Sequence, residues 1–213
     1  MYACIVTDKN RHRYSADLHQ MYRQRYTVFV TEKGWNLPLA DHKNKIEKDQ
    51  FDNKKAIYIL LKDSNESLIG SFRFLPTMEP HLFSDIFPHL VDDKIIRRED
   101  TWECSRFMTT IGAGRKRSIL NTGTTALSAA MAEAALYFGV KYIVALANKD
   151  SLPLILYSGS LAMPIGIPQM EGNELVSAFS VRITKLGLKL FRKRRKLISP
   201  VLIAPPCEQR AVI

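Results

Sequence analysis

Several features that would assign a compartment or a scaffold at once are missing from this sequence. No stretch approaches about 20 uninterrupted apolar residues, and the apolar start is followed at once by charge, which predicts neither a membrane span nor a secretory signal. The three cysteines form no CxxC pair and leave one thiol over, which fits a reducing compartment without a structural disulfide or zinc. We therefore expect a cytoplasmic protein.

The common catalytic motifs are also missing. The five histidines are scattered without HExxH or HxxxH spacing, and the sequence contains neither a GxSxG motif nor a Walker loop. These absences weigh against a metal-dependent enzyme and a serine hydrolase, and we expect no metal site.

The composition is that of an ordinary globular domain. Of 213 residues, 46% are hydrophobic and 24% charged, and no repeat, linker or composition break divides the chain. We expect one α/β domain over residues 1–213. The net charge of +10 is uneven, because nine basic residues and one acid follow Val181, so residues 182–213 form a basic carboxy-terminal segment. That segment suits an acidic partner, or it is a solvated basic face.

Hydrophobic periodicity predicts the elements of the amino-terminal half. Apolar residues at helical spacing predict a helix between Ser15 and Lys33, with Ser15 as its cap and Gly34 as its stop. A long polar loop over residues 37–53 follows, and loops of that length often carry function. Two β-like runs, Ala56–Lys62 and Ser67–Leu75, predict a hairpin, and residues 76–100 predict short helical turns.

The second half predicts a parallel crossover. A strand over Thr101–Thr110, an alanine-rich helix over Thr124–Phe138 and a buried strand over Lys141–Ala147 follow one another. Such an order places helices over a sheet. Further on, the patterns predict a short helix at Asp150–Tyr157 and a strand at Glu174–Ile183, whereas Thr184–Lys196 fits either a helix or a strand.

Two clusters of residues are candidates for chemistry. In the first, Phe29 and Trp35 accompany the acids Glu47, Asp49 and Asp52, and rings beside carboxylates are what a cationic, ring-bearing ligand needs. The bland alternative is that Phe29 packs in the core and the acids balance nearby lysines.

The second cluster lies on the Thr101–Thr110 strand. Strict alternation would place Trp102, Cys104 and Arg106 on one face and Glu103, Ser105 and Phe107 on the other. Charged residues in buried strands need partners, so Glu103, Arg106 and the similarly placed Arg73 predict a buried ion network, which is either functional or purely structural.

A glycine-containing turn, Gly112–Gly114, precedes three basic residues between a strand and a helix. Free amides and cations there would suit a phosphate, although a flexible surface connection is the simpler interpretation.

Taken in order, five motifs closely resemble the acyl-homoserine lactone synthases of bacterial quorum sensing, the LuxI-type autoinducer synthases. The motifs are RYTVFVTEKGW from Arg25, IEKDQFD from Ile46, SFRFLPT from Ser71, FP at Phe87 and WECSRF from Trp102. The resemblance covers about residues 15–110, and beyond Gly139 it rests on the order of elements.

The resemblance implies an α/β/α sandwich around a mixed sheet, similar to the GCN5-related N-acetyltransferases. It also implies that S-adenosylmethionine is a substrate, that acyl carrier protein delivers the acyl group, and that no separate cofactor takes part. The products would be acyl-homoserine lactone, methylthioadenosine and free carrier. No nucleic-acid partner and no membrane span are expected.

The family signature also implies roles for individual residues of this sequence. Glu103 would be the catalytic base, with Arg106 as the second catalytic residue and the strand amides near Arg106 and Phe107 polarising the thioester carbonyl. Arg73 would belong to the ion network. The residues implied in S-adenosylmethionine binding are Arg25, Phe29, Trp35, Asp49 and Asp52.

The acyl pocket is expected at Phe107, Ile143 and Leu146. Ile143 is the best-aligned position for a threonine that family members with 3-oxo chains often carry, so its apolar side chain favours an unsubstituted chain. The positions expected to dock the acidic carrier are Arg115, Lys116, Arg117, Arg194 and Arg195. Two rivals remain: a coenzyme A-dependent N-acetyltransferase of the same fold and a noncatalytic module that binds polyanions.

Overall fold

The computed structural model describes residues 1–92, 96–110, 122–148, 155 and 161–203. Nine strands form one mixed sheet in the order β6-β8-β5-β4-β3-β2-β1-β9, with β7 paired to β8. The strands are β1 Tyr2–Val6, β2 Ile57–Lys62, β3 Leu68–Pro76, β4 Thr101–Thr109, β5 Tyr142–Asn148, β6 Leu161–Pro164, β7 Gln169–Glu171, β8 Glu174–Arg182 and β9 Leu202–Ile203.

Four α-helices whose bounds lie within the described residues pack on the two faces of this sheet: α1 Ser15–Arg25, α2 Leu82–Asp85, α3 Thr122–Phe138 and α4 Lys185–Arg195. The buried side chains of α3 join the core on one face, which we call the α3 face. Those of α1 join the core on the opposite face, the α1 face. The α/β/α class expected from the sequence is therefore confirmed.

Most predicted elements are present, with some corrections. The β2–β3 hairpin is antiparallel, β4 and β5 are parallel around α3, and residues 185–195 are helical. Ser15 is the first residue of α1 and not its cap, because Tyr14 holds that position without a capping side chain. The helix continues as a π-helix over Tyr26–Glu32, and Gly34 follows with a positive φ of 69°.

Some predictions fall elsewhere. The sequence patterns missed β1 and β9, which pair in parallel at one end of the sheet. The short helix expected at Asp150–Tyr157 lies outside the described residues except for Ile155. Among the described residues, no helix is long and apolar enough to cross a bilayer.

A β-bulge in β4 breaks the alternation that the sequence predicted. The register with β3 shifts between Ser71 and Arg73, and Arg106 takes a left-handed φ of 54°. Arg106 therefore lies on the α1 face with Glu103 and Ser105, while Phe107 crosses to the α3 face and stacks on Phe72. The predicted face of both side chains was wrong, because one extra residue on a strand reverses every side chain after it.

β4 and β5 are paired over a short length only. Their register runs from Thr101↔Tyr142 to Glu103↔Val144, and both strands continue beyond it without pairing to each other. Glu103 therefore stands at the point where the two central strands separate.

Candidate active site

Three arginines and three carboxylates form a closed ring of ion pairs on the α1 face. Arg25 binds Glu47 and Asp52, Arg73 binds Asp52 and Asp49, and Arg106 binds Asp49 and Glu47, so that the charges alternate and cancel. Arg25 is bidentate to Asp52, with Nη1–Oδ1 and Nη2–Oδ2 distances of 2.8 and 2.9 Å. Arg106 Nη2 lies 2.9 Å from Glu47 Oε1 and 3.0 Å from Asp49 Oδ2.

The ring is buried, so its members depend on one another. Burial alone would raise the pKa of Asp52, but Arg25 and Arg73 outweigh it and hold that pKa below its ordinary value. Burial likewise disfavours the charge of Arg25, and Asp52 and Glu47 reverse that effect and raise its pKa. Each charge of the ring has two partners of opposite sign, so loss of one member leaves its neighbours with an unpaired charge.

The long polar loop is shaped to deliver these acids. Asp41 and Ile46 form an antiparallel bridge, and the Glu47 amide donates to the Tyr22 carbonyl. The Asp49 amide donates to Asp52 Oδ2 at 2.8 Å. These hydrogen bonds fix the backbone of the loop, so that its acidic side chains face the arginines of the ring.

Two aromatic rings stand beside the ion ring. Phe29 and Trp35 are stacked with centroids 5.0 Å apart. Phe29 lies in the π-helix, and after the helix ends the Trp35 amide donates to the Phe29 carbonyl at 2.9 Å. The Lys33 ammonium lies 5.0 Å from the Trp35 centroid, and the Arg106 guanidinium lies 5.7 Å from that of Phe29. Both rings thus already have a cation beside them. Trp35 is half-buried, whereas Phe29 is 2% exposed and packs in the core of the α1 face, as the simpler interpretation of the sequence held.

Glu103 is a buried carboxylate that lines a cavity beside the ring but does not belong to the ring. It is 1% exposed, its Oε1 has no hydrogen-bond partner among the residues that the structure describes, and its Oε2 accepts from the Phe83 amide at a long 3.4 Å. Burial raises the pKa of Glu103 to about 7, although Arg73 opposes the shift. A carboxylate with that pKa can accept and release a proton near neutral pH.

A cavity of about 1220 Å³ passes through the sheet where β4 and β5 separate. On the α1 face its lining contains the aromatic pair, Glu47, Asp49 and Glu103. On the α3 face it becomes an apolar chamber, which the side chains of α3, α4, β4 and β5 enclose. The chamber includes Phe107, Met131, Ala132, Ala145, Leu190 and Phe191.

The residues predicted for the acyl pocket all line this cavity, but not at one end. Phe107 and Ile143 belong to the α3 face, whereas Leu146 packs with the opposite core. Ile143 is 1% exposed and still paired with Trp102, so Ala145, the next residue of β5 on the α3 face, lies beyond the point of separation. Ala145 is thus better placed than Ile143 for contact with a chain in the chamber.

The structure separates the other predicted site residues into two groups. Phe29, Trp35, Asp49, Glu103 and Arg106 line the cavity. Arg25, Asp52 and Arg73, which are at most 5% exposed, stand behind that lining as members of the ring.

The predicted basic residues fall into two groups as well. Arg194 and Arg195 lie at the end of α4, where Arg194 is exposed. The other three, Arg115, Lys116 and Arg117, lie outside the described residues.

Sequence reasoning missed the part that Glu47 plays. It was noted among the acids of the loop but not assigned, and it bridges Arg25 to Arg106 at the cavity wall. The signal was available in the charges, since three arginines at buried positions require three acids. Across the described part of the chain, no cluster of histidine, cysteine and acidic side chains has the arrangement of a metal site.

Comparison with known proteins identifies close relatives. The model of the autoinducer synthase family matches residues 9–185. The isovaleryl-homoserine lactone synthase of Bradyrhizobium diazoefficiens is 30% identical over 196 residues, which cover 89% of this chain and 83% of that protein.

Solved structures agree with the sequence relatives. The structure of BjaI, described as a CoA-dependent acyl-homoserine lactone synthase with SAM and isopentyl-CoA, has a TM-score of 0.85 and 26% identity, covering 98% of this chain and 95% of that one. An acyl-CoA N-acyltransferase from Pseudomonas aeruginosa has a TM-score of 0.53 at 13% identity, covering 84% of this chain and 97% of that one. At this identity the likeness concerns the fold alone.

Proposed function

The chain belongs to the autoinducer synthase family, as an acyltransferase that makes acyl-homoserine lactones, and we propose that its substrates are S-adenosylmethionine and an acyl thioester of coenzyme A. The observation that carries the proposal is the cavity that crosses the sheet beside Glu103. It joins an aromatic and acidic wall to an apolar chamber, so one buried carboxylate faces two chemically different compartments.

The aromatic and acidic wall suits S-adenosylmethionine. Phe29 and Trp35 offer a face to the sulfonium and the nucleoside, since they already hold cations of the protein near their rings. Asp49 and Glu47 add negative charge to the same wall, while Arg25, Asp52 and Arg73 position them from behind. This division of work assigns direct contact to the lining residues and support to the rest of the ring.

Glu103 is proposed as the base of the acyl-transfer step. The methionyl amine must lose a proton as its nitrogen attacks the thioester carbonyl, and Glu103, directly or through water, takes that proton. The carbonyl oxygen gains negative charge, which the amides of β4 beside the Arg106 bulge stabilise. The intermediate then collapses, the carbon–sulfur bond breaks, and the donor leaves as a thiol after it regains a proton.

The second step closes the ring. A carboxylate oxygen of the acylated intermediate attacks its γ-carbon, and the bond from that carbon to the sulfonium breaks, releasing neutral methylthioadenosine. No base is required, because the leaving group is already cationic and the attack is intramolecular. The enzyme's contribution is to hold the chain folded against the aromatic pair.

The donor is proposed to be a coenzyme A thioester because of the likeness to BjaI, which is described as CoA-dependent. The likeness to an isovaleryl-homoserine lactone synthase favours a short, branched acyl group. Ala145 and Ile143 present no hydroxyl to the chamber, which favours a chain without oxygen at its third carbon.

An acyl carrier protein is the second candidate donor, and the sequence predicted it. The observation that favours it is the basic surface of α4, where Lys185, Lys189 and Arg194 are exposed next to the chamber wall. Carrier proteins are acidic, so this surface would steer them to the cavity.

The deciding experiment compares donors. The purified chain is incubated with S-adenosylmethionine and either acetyl-, isovaleryl- or octanoyl-coenzyme A or the same acyl groups on carrier protein. Mass spectrometry then follows methylthioadenosine and the acylated lactone. We expect both products with isovaleryl-coenzyme A.

Other outcomes distinguish the rivals. Lactone from carrier donors alone would overturn the coenzyme A proposal, and reversing the charges of Arg194 and Arg195 would then raise KM for the carrier, more at low salt. Acetyl transfer to other amines without methylthioadenosine would indicate an N-acetyltransferase. Binding to polyanions with neither product from active donors would indicate a noncatalytic module.

A further inference from the structure

Helix α4 closes the apolar chamber but is weakly anchored by hydrophobic packing. Five of its residues line the cavity, namely Leu186, Gly187, Leu188, Leu190 and Phe191, yet none of its residues is buried. Leu186 and Leu190 are 65% and 57% exposed. Phe191 packs against the core of the α3 face, but the exposed leucines contribute little apolar burial. A specific polar contact is therefore important for fixing the distance between α4 and α3.

Glu133 of α3 provides that contact from behind the chamber. Its carboxylate is 6% exposed, and Arg192 of α4 donates to its Oε1 from Nη2 at 2.7 Å and from Nε at 3.2 Å. Its Oε2 accepts from the amides of Val201 and Leu202 at 3.0 and 2.6 Å. One carboxylate thereby holds α4 and the strand that completes the sheet beside β1.

The position of Glu133 connects this contact to the chamber. Met131 and Ala132, the two residues before it, line the cavity, as does Phe191, the neighbour of Arg192. A charge-assisted pair between α3 and α4 therefore sets the width of the chamber without touching its contents.

We propose that Glu133 is a positioning residue that holds α4 as the outer wall of the acyl chamber and so limits the length of the acyl chain the enzyme accepts. This inference rests on the acyl-transfer function proposed above. Without the Glu133 charge, Arg192 loses its partner and α4 moves outward more readily, which makes room for longer chains.

The test uses Glu133→Gln and Arg192→Met in the full chain. We expect the ratio of kcat/KM for isovaleryl- over octanoyl-thioesters to fall by about fivefold in both variants, the usual size of a coupling through a packed wall. KM for S-adenosylmethionine should stay within about twofold, because sites without shared partners behave independently. Lys193→Met is the matched control, since Lys193 is exposed on the same helix.

Hydrogen exchange supplies an arm that does not depend on activity. In both variants we expect faster exchange of α4 amides, with exchange of the β2 and β3 amides unchanged.

Unchanged chain-length ratios, or α4 exchange equal to that of the Lys193→Met control, would overturn the positioning role. If the parent enzyme makes no lactone from any donor, the proposed function fails, and the exchange data alone decide whether Glu133 holds α4. Arg192→Met keeps the Glu133 contacts to Val201 and Leu202, so it remains informative if Glu133→Gln folds poorly.

Discussion

The two ends of the cavity are built on opposite principles. At the α1 face, four buried and two partly buried charges from a helix, a loop and two strands each have two partners. At the α3 face, the outer wall is a helix with no buried residue, tied to its neighbour by one carboxylate. In the first arrangement every charge is fixed by two partners, whereas in the second the position of the wall depends on few contacts. This difference agrees with the proposal that one end binds S-adenosylmethionine and the other an acyl chain.

The largest effect should come from Glu103, where the two ends meet. Glu103→Gln is expected to lower kcat/KM by about 100- to 10,000-fold, the usual contribution of a general base. The parent enzyme should lose activity as the pH falls through about 7, because the carboxylate becomes protonated there. Both the loss of activity in Glu103→Gln and the pH dependence of the parent enzyme are measured from steady-state rates over about three pH units around neutrality.

The same variant separates catalysis from stability. A raised pKa means that folding favours the protonated form, so ionisation of Glu103 costs stability as the pH rises towards 7. Glu103→Gln should therefore unfold at pH 8 with an unchanged or higher free energy. A near-parental rate in a folded variant would remove Glu103 as the base.

The next effect in size concerns the charged end, and it tests how much the ion ring contributes to the free energy of unfolding. Arg73 is fully buried between Asp49 and Asp52, so Arg73→Met should lower the free energy of unfolding by about 3–5 kcal/mol, the cost of breaking a buried pair from one side. Urea denaturation gives the value. The comparison is Lys62→Met, which breaks a partly exposed pair with Asp17 and should cost under about 1 kcal/mol. Equal losses would mean that the ring is no more demanding than a surface pair.

The smallest expected effect concerns the apolar end, and it tests whether Ala145 contacts the acyl chain. Ala145→Thr places a hydroxyl in the chamber and should raise the kcat/KM ratio of 3-oxo over unsubstituted donors by about fivefold, the worth of one neutral hydrogen bond. Ala145→Val has the same shape without the hydroxyl and controls for size. The assignment of Ala145 to the acyl chain is contradicted if both variants shift the ratio alike.

Local signals were sufficient for much of the fold. The β2–β3 hairpin and the crossover through α3 follow from short-range patterns, and the structure has both. The edges were missed, because β9 has two residues and exists only where β1 offers it a partner. The state of Thr184–Lys196 was undecided by its alternating leucines, and the Thr184 cap to the Gly187 amide accompanies its helical form.

The candidate site divides in the same way. Phe29, Trp35, Asp49 and Glu103 were chosen from residue type and motif order, and all four line the cavity. Arg106 was assigned to the wrong face, because the bulge depends on the register of the neighbouring strand and leaves no mark in the local alternation. The role of Glu47 was missed for a related reason, since its partners are 22 and 59 residues away.

The sequence alone determined the chemistry available to this protein: rings and acids near the amino terminus, arginines inside apolar strands, and the order of motifs that marks the autoinducer synthases. The tertiary structure decided which charges pair, which acid is left to titrate, and where the sheet opens. Those outcomes depend on strand register and on desolvation, which act between residues far apart in the chain and are fixed only when the chain is folded.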